Sequence, residues 1–292
     1  MSNSIIRKSD WLSAQTCVSQ AWFSRRADHA KPNEAGLFRM EQGREIGELA
    51  HELYPAGIKI HSLDMEAATA ETTALMEDSA VDVLFEAAFT ADGLVARADI
   101  LKREADGWHV LEVKSSFSDS SSLDDLVADL TYTVAVLERA GLSVSKASLV
   151  LLSREFRHGD PTSKLFTIID KTAEVTLGVT SFEAVVESIK GDLLADNQPI
   201  SALISACRSC DFFRSDCLGS NVAHSILEIP GLHHTKLKLL SIAGIVDVSH
   251  LPAGFVLNER QQRALDAIVS NAVVVNQVLM ERSVRSHGRA IT

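Results

Sequence analysis

The chain has few cysteines, few aromatic rings and no long apolar run, and its net charge has the wrong sign for a general polyanion binder. Four cysteines in 292 residues do not make a disulfide framework in a chain long enough to bury a large core. No stretch approaches the eighteen or so apolar residues that a membrane span needs, and the opening MSNSIIRKSDW lacks the apolar core of a signal peptide. A cytoplasmic protein without a membrane partner is expected. A net charge of −11 argues against sequence-independent nucleic-acid binding, which needs clustered Lys and Arg. Basic residues confined to one groove would meet that objection, and Arg25, Arg26, Lys31, Arg39 and Arg44, then Lys236 and Lys238, are the candidates. The apolar and charged fractions, 46% and 23%, are those of an ordinary globular protein.

The most informative stretch is LVARADILKREADGWHVLEVKSS, residues 94–116. Both ends alternate as strands do, and Asp106-Gly107 between them is a strong hairpin signal. The period of two puts Val110, Glu112 and Lys114 on one face and Leu111 and Val113 on the other. If the hairpin register brings Asp99 to the Glu112 face, two carboxylates and an ammonium converge. That set binds Mg2+ or Mn2+ through oxygen and stabilises a phosphate under attack by water. An exposed row of ion pairs is the other reading of the same string.

Taken in order, residues 9–26 read as a helix with Cys17 at its middle, and 36–53 as a second that stops before Pro55. Gly47 and His51 share a face of the latter, where His51 is otherwise a surface histidine. A third helix covers 65–76. Val81, Val83, Phe85, Ala87 and Phe89 alternate, and Asp92-Gly93 turns the chain into the Asp99 strand, giving a three-stranded meander. Glu86 on its first strand either faces the site or pairs with Arg97. A helix from 123 to 140 ends at Gly141, and strands follow at 147–152 and 165–169, so a right-handed crossover and a mixed sheet are expected. In 226–266, an Ile-Pro-Gly turn and a short amphipathic helix read either as a degenerate helix-hairpin-helix, offering backbone amides to phosphates, or as a small helical cap. His233 and His234 read as solvated, and the basic ERSVRSHGRAIT end as frayed.

Asp99 followed on the next strand by Glu112-Val113-Lys114 resembles the signature of the PD-(D/E)xK nucleases, and Gly47-x-x-x-His51 on the preceding helix resembles their RecB-like branch. The resemblance covers residues 9 to 220. It departs at Ala98, where the family carries Pro, and at Thr133 in DLTYTVAVL, where it carries Gln. It implies an α/β fold, a restriction-endonuclease-like mixed sheet flanked by helices with a small helical C-terminal region. The implied domains are a nuclease domain over 1–220, closed by cysteines, and a helical, helix-hairpin-helix-like region over 221–292.

It also implies Asp99, Glu112 and Lys114 as catalytic residues, with His51, Asp99, Glu112 and the Val113 carbonyl as ligands of Mg2+ or Mn2+. Cys17 with Cys207, Cys210 and Cys217 in C-x2-C-x6-C is similar to the cysteine set of AddB-type and CRISPR-associated RecB-like exonucleases. That implies a 4Fe–4S cluster, with zinc as the alternative. The implied activity is a deoxyribonuclease, an exonuclease acting on DNA ends or single strands. Some members continue into an RNase H-like exonuclease domain that this sequence does not carry, so it would act alone or with a helicase or other protein partner. The rival expectation is a non-cleaving nuclease fold that binds nucleic acid or protein, with redox control as a variant of that reading.

Overall fold

A computed structural model describes residues 4–27, 33–120 and 122–272. The chain divides into two compact units, Met1–Pro199 and Ile200–Thr292. This boundary falls ahead of the expected one after residue 220, because the segment carrying Cys207 and Cys210 packs into the core of the second unit.

The first unit is built on a six-stranded mixed sheet: β1 (Ile58–Lys59), β2 (Val83–Ala91), β3 (Leu94–Glu104), β4 (Gly107–Phe117), β5 (Val144–Leu152) and β6 (Phe166–Asp170). The strands lie in sequence order. β2, β3 and β4 form an antiparallel meander, and β4 and β5 run parallel across a helical crossover. β1 pairs parallel to β2, and β6 antiparallel to β5. Alternation along β4 holds as expected: Val110 packs toward one core, Leu111 and Val113 toward the other.

Helices cover both faces. The predicted helix over 9–26 is two, α1 (Lys8–Thr16) and α2 (Val18–Ser24), because Cys17 is extended and breaks the ladder. α3 (Glu34–His51) starts under the Asn33 cap, whose side chain accepts from the Gly36 N–H, and stops ahead of Pro55. α4 (Met65–Glu77) is capped by Asp64 in the same way. The crossover helix α5 (Leu123–Arg139) is the most deeply buried, and α6 (Thr172–Leu194), not anticipated from the sequence, lies against it.

α1, α5 and α6 share one core with the sheet, in which Trp11 meets Phe182 at 4.3 Å between ring centroids. The Tyr132 hydroxyl on α5 donates to the Ile6 and Val95 carbonyls at 3.0 and 3.1 Å, tying the N-terminal segment to β3. α3 covers the opposite face through Ala50.

In the second unit, a 3-10 turn at Ser205–Ser209, α7 (Phe212–Ser215) and α8 (His234–Ile242) close over Leu203, Phe213, Ile226, Leu237 and Leu240, with α9 (Glu259–Ser270) following. The Ile-Pro-Gly turn holds Gly231 at φ +64°, a conformation that suits glycine. No helix among the described residues is long and apolar enough to cross a membrane.

Candidate active site

The site forms where β3 and β4 part company. Their ladder is regular from Glu104–Gly107 to Ile100–Leu111, which places Asp99 opposite Glu112 at the next step. Instead of continuing the ladder, the Asp99 side chain takes the Val113 N–H, Oδ2 accepting at 2.7 Å. A strand residue's N–H and C=O point toward the same neighbour, so the Val113 carbonyl leaves β4 on the Asp99 side. On β2, the residue in register with Asp99 is Glu86, held at φ +57°. A non-glycine residue in that region within a strand is strained, and such strain gathers at functional sites.

Glu112 is 2% exposed and is the hub. Its Oε1 accepts from two ammoniums, Lys8 at 2.7 Å and Lys114 at 2.9 Å. Its Oε2 accepts from the Thr133 hydroxyl at 3.3 Å. Both lysines also reach Asp129 on α5, Lys8 at 3.5 Å and Lys114 in a closer ion pair. Lys8, Glu112, Lys114 and Asp129 therefore form a closed ring of two positive and two negative charges.

Burial alone would raise Glu112, but the two ammoniums overcome it and hold the carboxyl down at about 2. Among the described residues no ammonium is in hydrogen-bond contact with Asp99, and burial followed by repulsion from Glu112 pushes it up to about 8. Burial and then Glu112 raise Asp129 as well. Lys114 and Lys8 are both raised, since their carboxylate partners outweigh the burial that disfavours charge. The arrangement keeps one carboxylate ionised beside another that prefers its proton.

The structure thus brings Asp99, Glu112, Val113 and Lys114 together, and it adds Lys8, Asp129 and Thr133. Glu86 is raised by burial and senses Lys59 and Arg97 as well as Glu112 and Lys8, so it sits between the two surroundings weighed for it. Arg97 donates to the Glu86 backbone carbonyl and to that of Ser62. His51, at the end of α3, lies flat on the Phe85 ring with centroids 4.0 Å apart. Burial, then Lys59, lower its pKa. Space beside Gly47 is open. Among the described residues, no group of three or more His, Cys, Asp or Glu side chains is gathered as a metal cage, so the expected four-ligand set is not assembled around His51.

Of the cysteines, Cys17 sits between α1 and α2 in the first unit, and the other three lie in the second. Three of the basic candidates near the N-terminus, Arg25, Arg26 and Arg44, make contacts within the chain, and Arg39 is exposed. Arg25 pairs with Asp10, Arg26 lies over Trp22 and binds the Ala195 carbonyl, and Arg44 bridges Glu41 and Glu48. Lys236 donates to the Val256 carbonyl, and His233 and His234 are exposed, their rings tilted against each other at 4.0 Å between centroids. Lys31 and the ERSVRSHGRAIT end lie outside the described residues.

No family model matches the chain, and no curated protein does. Among solved structures, the crystal structure of SSO0001 aligns with 15% identity over 68% of this chain and 94% of its own, with a TM-score of 0.22, too slight a likeness to bear on fold or activity.

Proposed function

We propose that this chain is a metal-dependent deoxyribonuclease of the PD-(D/E)xK type, an exonuclease hydrolysing phosphodiester bonds at DNA ends or in single strands. The observation that carries the reading is the fork of β3 and β4, where Asp99 opposes Glu112 and Lys114 contacts Glu112 at 2.9 Å. Two carboxyl groups from adjacent strands, one pushed up by burial and then by the other, are the hard oxygen donors that Mg2+ or Mn2+ takes. Asp99 and Glu112 would hold the ion, with the Val113 carbonyl leaving the strand on their side. When bound, a divalent ion polarises the phosphate and acidifies a water molecule.

The chain's own residues do the rest. Lys114 meets the negative charge that builds on the phosphate oxygens as water adds to phosphorus and the bond to the leaving oxygen breaks. Asp129 holds the Lys114 ammonium, and Thr133 holds Glu112. Cys17, Cys207, Cys210 and Cys217 are proposed to carry the 4Fe–4S cluster, or zinc in its place. A broad visible absorbance from anaerobically purified protein would distinguish iron–sulfur from zinc.

The test is cleavage of end-labelled single- and double-stranded DNA with Mn2+, with Mg2+ and with chelator, for the wild type and for Glu112→Gln. Metal-dependent products that vanish in the variant support the reading and reveal polarity. One observation favours the rival, a non-cleaving binding module: the ring of Lys8, Glu112, Lys114 and Asp129 balances its own charge without a metal. DNA retained in a gel shift but uncut under every metal condition would select that reading.

A further inference from the structure

β4 and β5 run parallel, so their C-terminal ends open at one edge of the sheet, and β4 reaches that edge through Lys114. Three residues farther on, past a break in register, stands Phe117, 37% exposed although its ring is large and apolar. Arg154, from the loop after β5, lays its guanidinium over that ring at 4.2 Å from the centroid. Phe117, Leu152, Arg154, Phe156 and Leu165 line a cavity of about 330 Å³, at the small end of ligand pockets.

The loop itself reads Ser153-Arg-Glu-Phe-Arg-His158, a positive stretch in a chain of net charge −11. Arg157 braces it, donating to the Arg154 and Phe156 carbonyls at 2.9 Å each. Asp119 accepts from the Arg154 Nε–H at 2.9 and 3.0 Å, an exposed ion pair beside the ring. A guanidinium plane over a partly exposed ring, with a second aromatic beside an apolar cavity, is a surface on which an unstacked nucleobase packs. Phe117 follows Lys114 by about 10 Å along the strand, at 3.3 Å per residue, and its partner Leu152 belongs to the core on the other face of the sheet, so the cavity opens at the same sheet end as Lys114 but from the opposite face.

From this we infer that Phe117, Arg154 and Phe156 form a base-stacking subsite for single-stranded nucleic acid, at the end of the sheet where β4 carries Lys114. The inference deepens the nuclease reading and rests on it for the identity of the substrate. It favours a single strand or a frayed end over an intact duplex, whose bases are stacked on one another and cannot enter.

The test compares binding of a fluorescent oligothymidylate with binding of a same-length abasic strand, by anisotropy, using the full chain in metal-free buffer. Wild type should prefer the thymine strand. Phe117→Ala should weaken that strand about tenfold and leave the abasic strand unchanged, while Phe117→Trp should keep the preference and show that the fold tolerates change there. Equal loss on both strands, no loss on either, or no wild-type preference overturns the subsite. Cleavage that needs Glu112 but shows no base preference would sink this inference alone. A base preference without cleavage would sink the nuclease reading and leave the subsite standing.

Discussion

His109 and Glu112 lie three residues apart on β4, 6% and 2% exposed, and burial drives them to opposite outcomes. His109 meets the buried Ser148 hydroxyl at 2.8 Å through Nε2, and its Nδ1 lies 3.8 Å from the partly exposed Glu104 carboxylate, too weak a partner to offset burial. Burial, reinforced by Lys146, lowers its pKa to about 4, so it stays neutral and serves packing. Glu112 lies in the same strand under comparable burial, yet it is held ionised by ammoniums brought in from α1 and from its own strand. A buried polar group that needs only to be satisfied takes its neutral form. One that stays charged has required other parts of the chain to be placed around it, and that separates a candidate site from a structural polar pair.

The sharpest way to break this comparison is to remove the charged partner that would act in chemistry. Lys114→Met should lower the rate of cleavage at least about a hundredfold, the range seen when one stabilising donor is removed. Mn2+ binding, read by calorimetry, should persist. Cleavage at wild-type rate would show that Lys114 belongs with the structural pairs after all.

Lys8→Met tests whether the ring is needed to hold Glu112 charged. Lys8 is partly exposed to solvent, so the loss is discounted to about 2 kcal/mol of unfolding free energy in urea. The same change removes a competitor for Glu112 Oε1, so Mn2+ should bind more tightly. His109→Gln, by contrast, should affect stability and leave Mn2+ affinity as it was. A Lys8 variant that behaved like the His109 variant in both measurements would erase the distinction between the two regions.

His109 also predicts a pH dependence. Its folded value near 4 lies below the ordinary histidine value of about 6.5. The stabilisation is therefore complete above pH about 6.5, and it is lost as pH falls toward 4, because the unfolded chain takes up the proton first. The expected loss is of order 2 kcal/mol relative to His109→Gln. Parallel stability curves for the two proteins between pH 7 and 4 would contradict the assignment.

Asp99, Glu112 and Lys114 were legible in the sequence because their relation is local: a period of two and an Asp-Gly turn carry it. The meander and the crossover were legible for the same reason. Lys8 was not, since its contact with Glu112 spans 104 residues and no local pattern encodes it. Asp129 showed only as a charge among the apolar positions of α5, four residues before Thr133 on the same helix face. α6 was overlooked because its Thr-, Val- and Gly-rich first half has weak helix propensity, and burial of Val175, Phe182 and Val186 decides the matter instead. The histidine of Gly-x-x-x-His was placed on the right helix, but its observed neighbour is the Phe85 ring, which spacing along α3 could not indicate.

Thr133 is the finest probe of the comparison, because it touches the charged region through a single weak hydrogen bond. Its hydroxyl is fully buried and lies 3.3 Å from Glu112 Oε2 and 3.4 Å from the Asp129 carbonyl. Replacing it by Val removes the donor to Glu112, and the carboxylate keeps Lys8 and Lys114. Stability should fall by about 1 kcal/mol, and cleavage only a few-fold. Thr133→Gln supplies the residue that the resemblance to RecB-like nucleases implies at this position, but it forces extra atoms into a site with no exposed surface. Overpacking of that kind typically costs about 1–3 kcal/mol. If the Gln variant were instead more stable and more active than wild type, Thr133 would be a local defect in an otherwise complete site. If both variants lose stability, the α5 surface has been fitted to the smaller side chain, and the support of Glu112 has passed from this helix to Lys8.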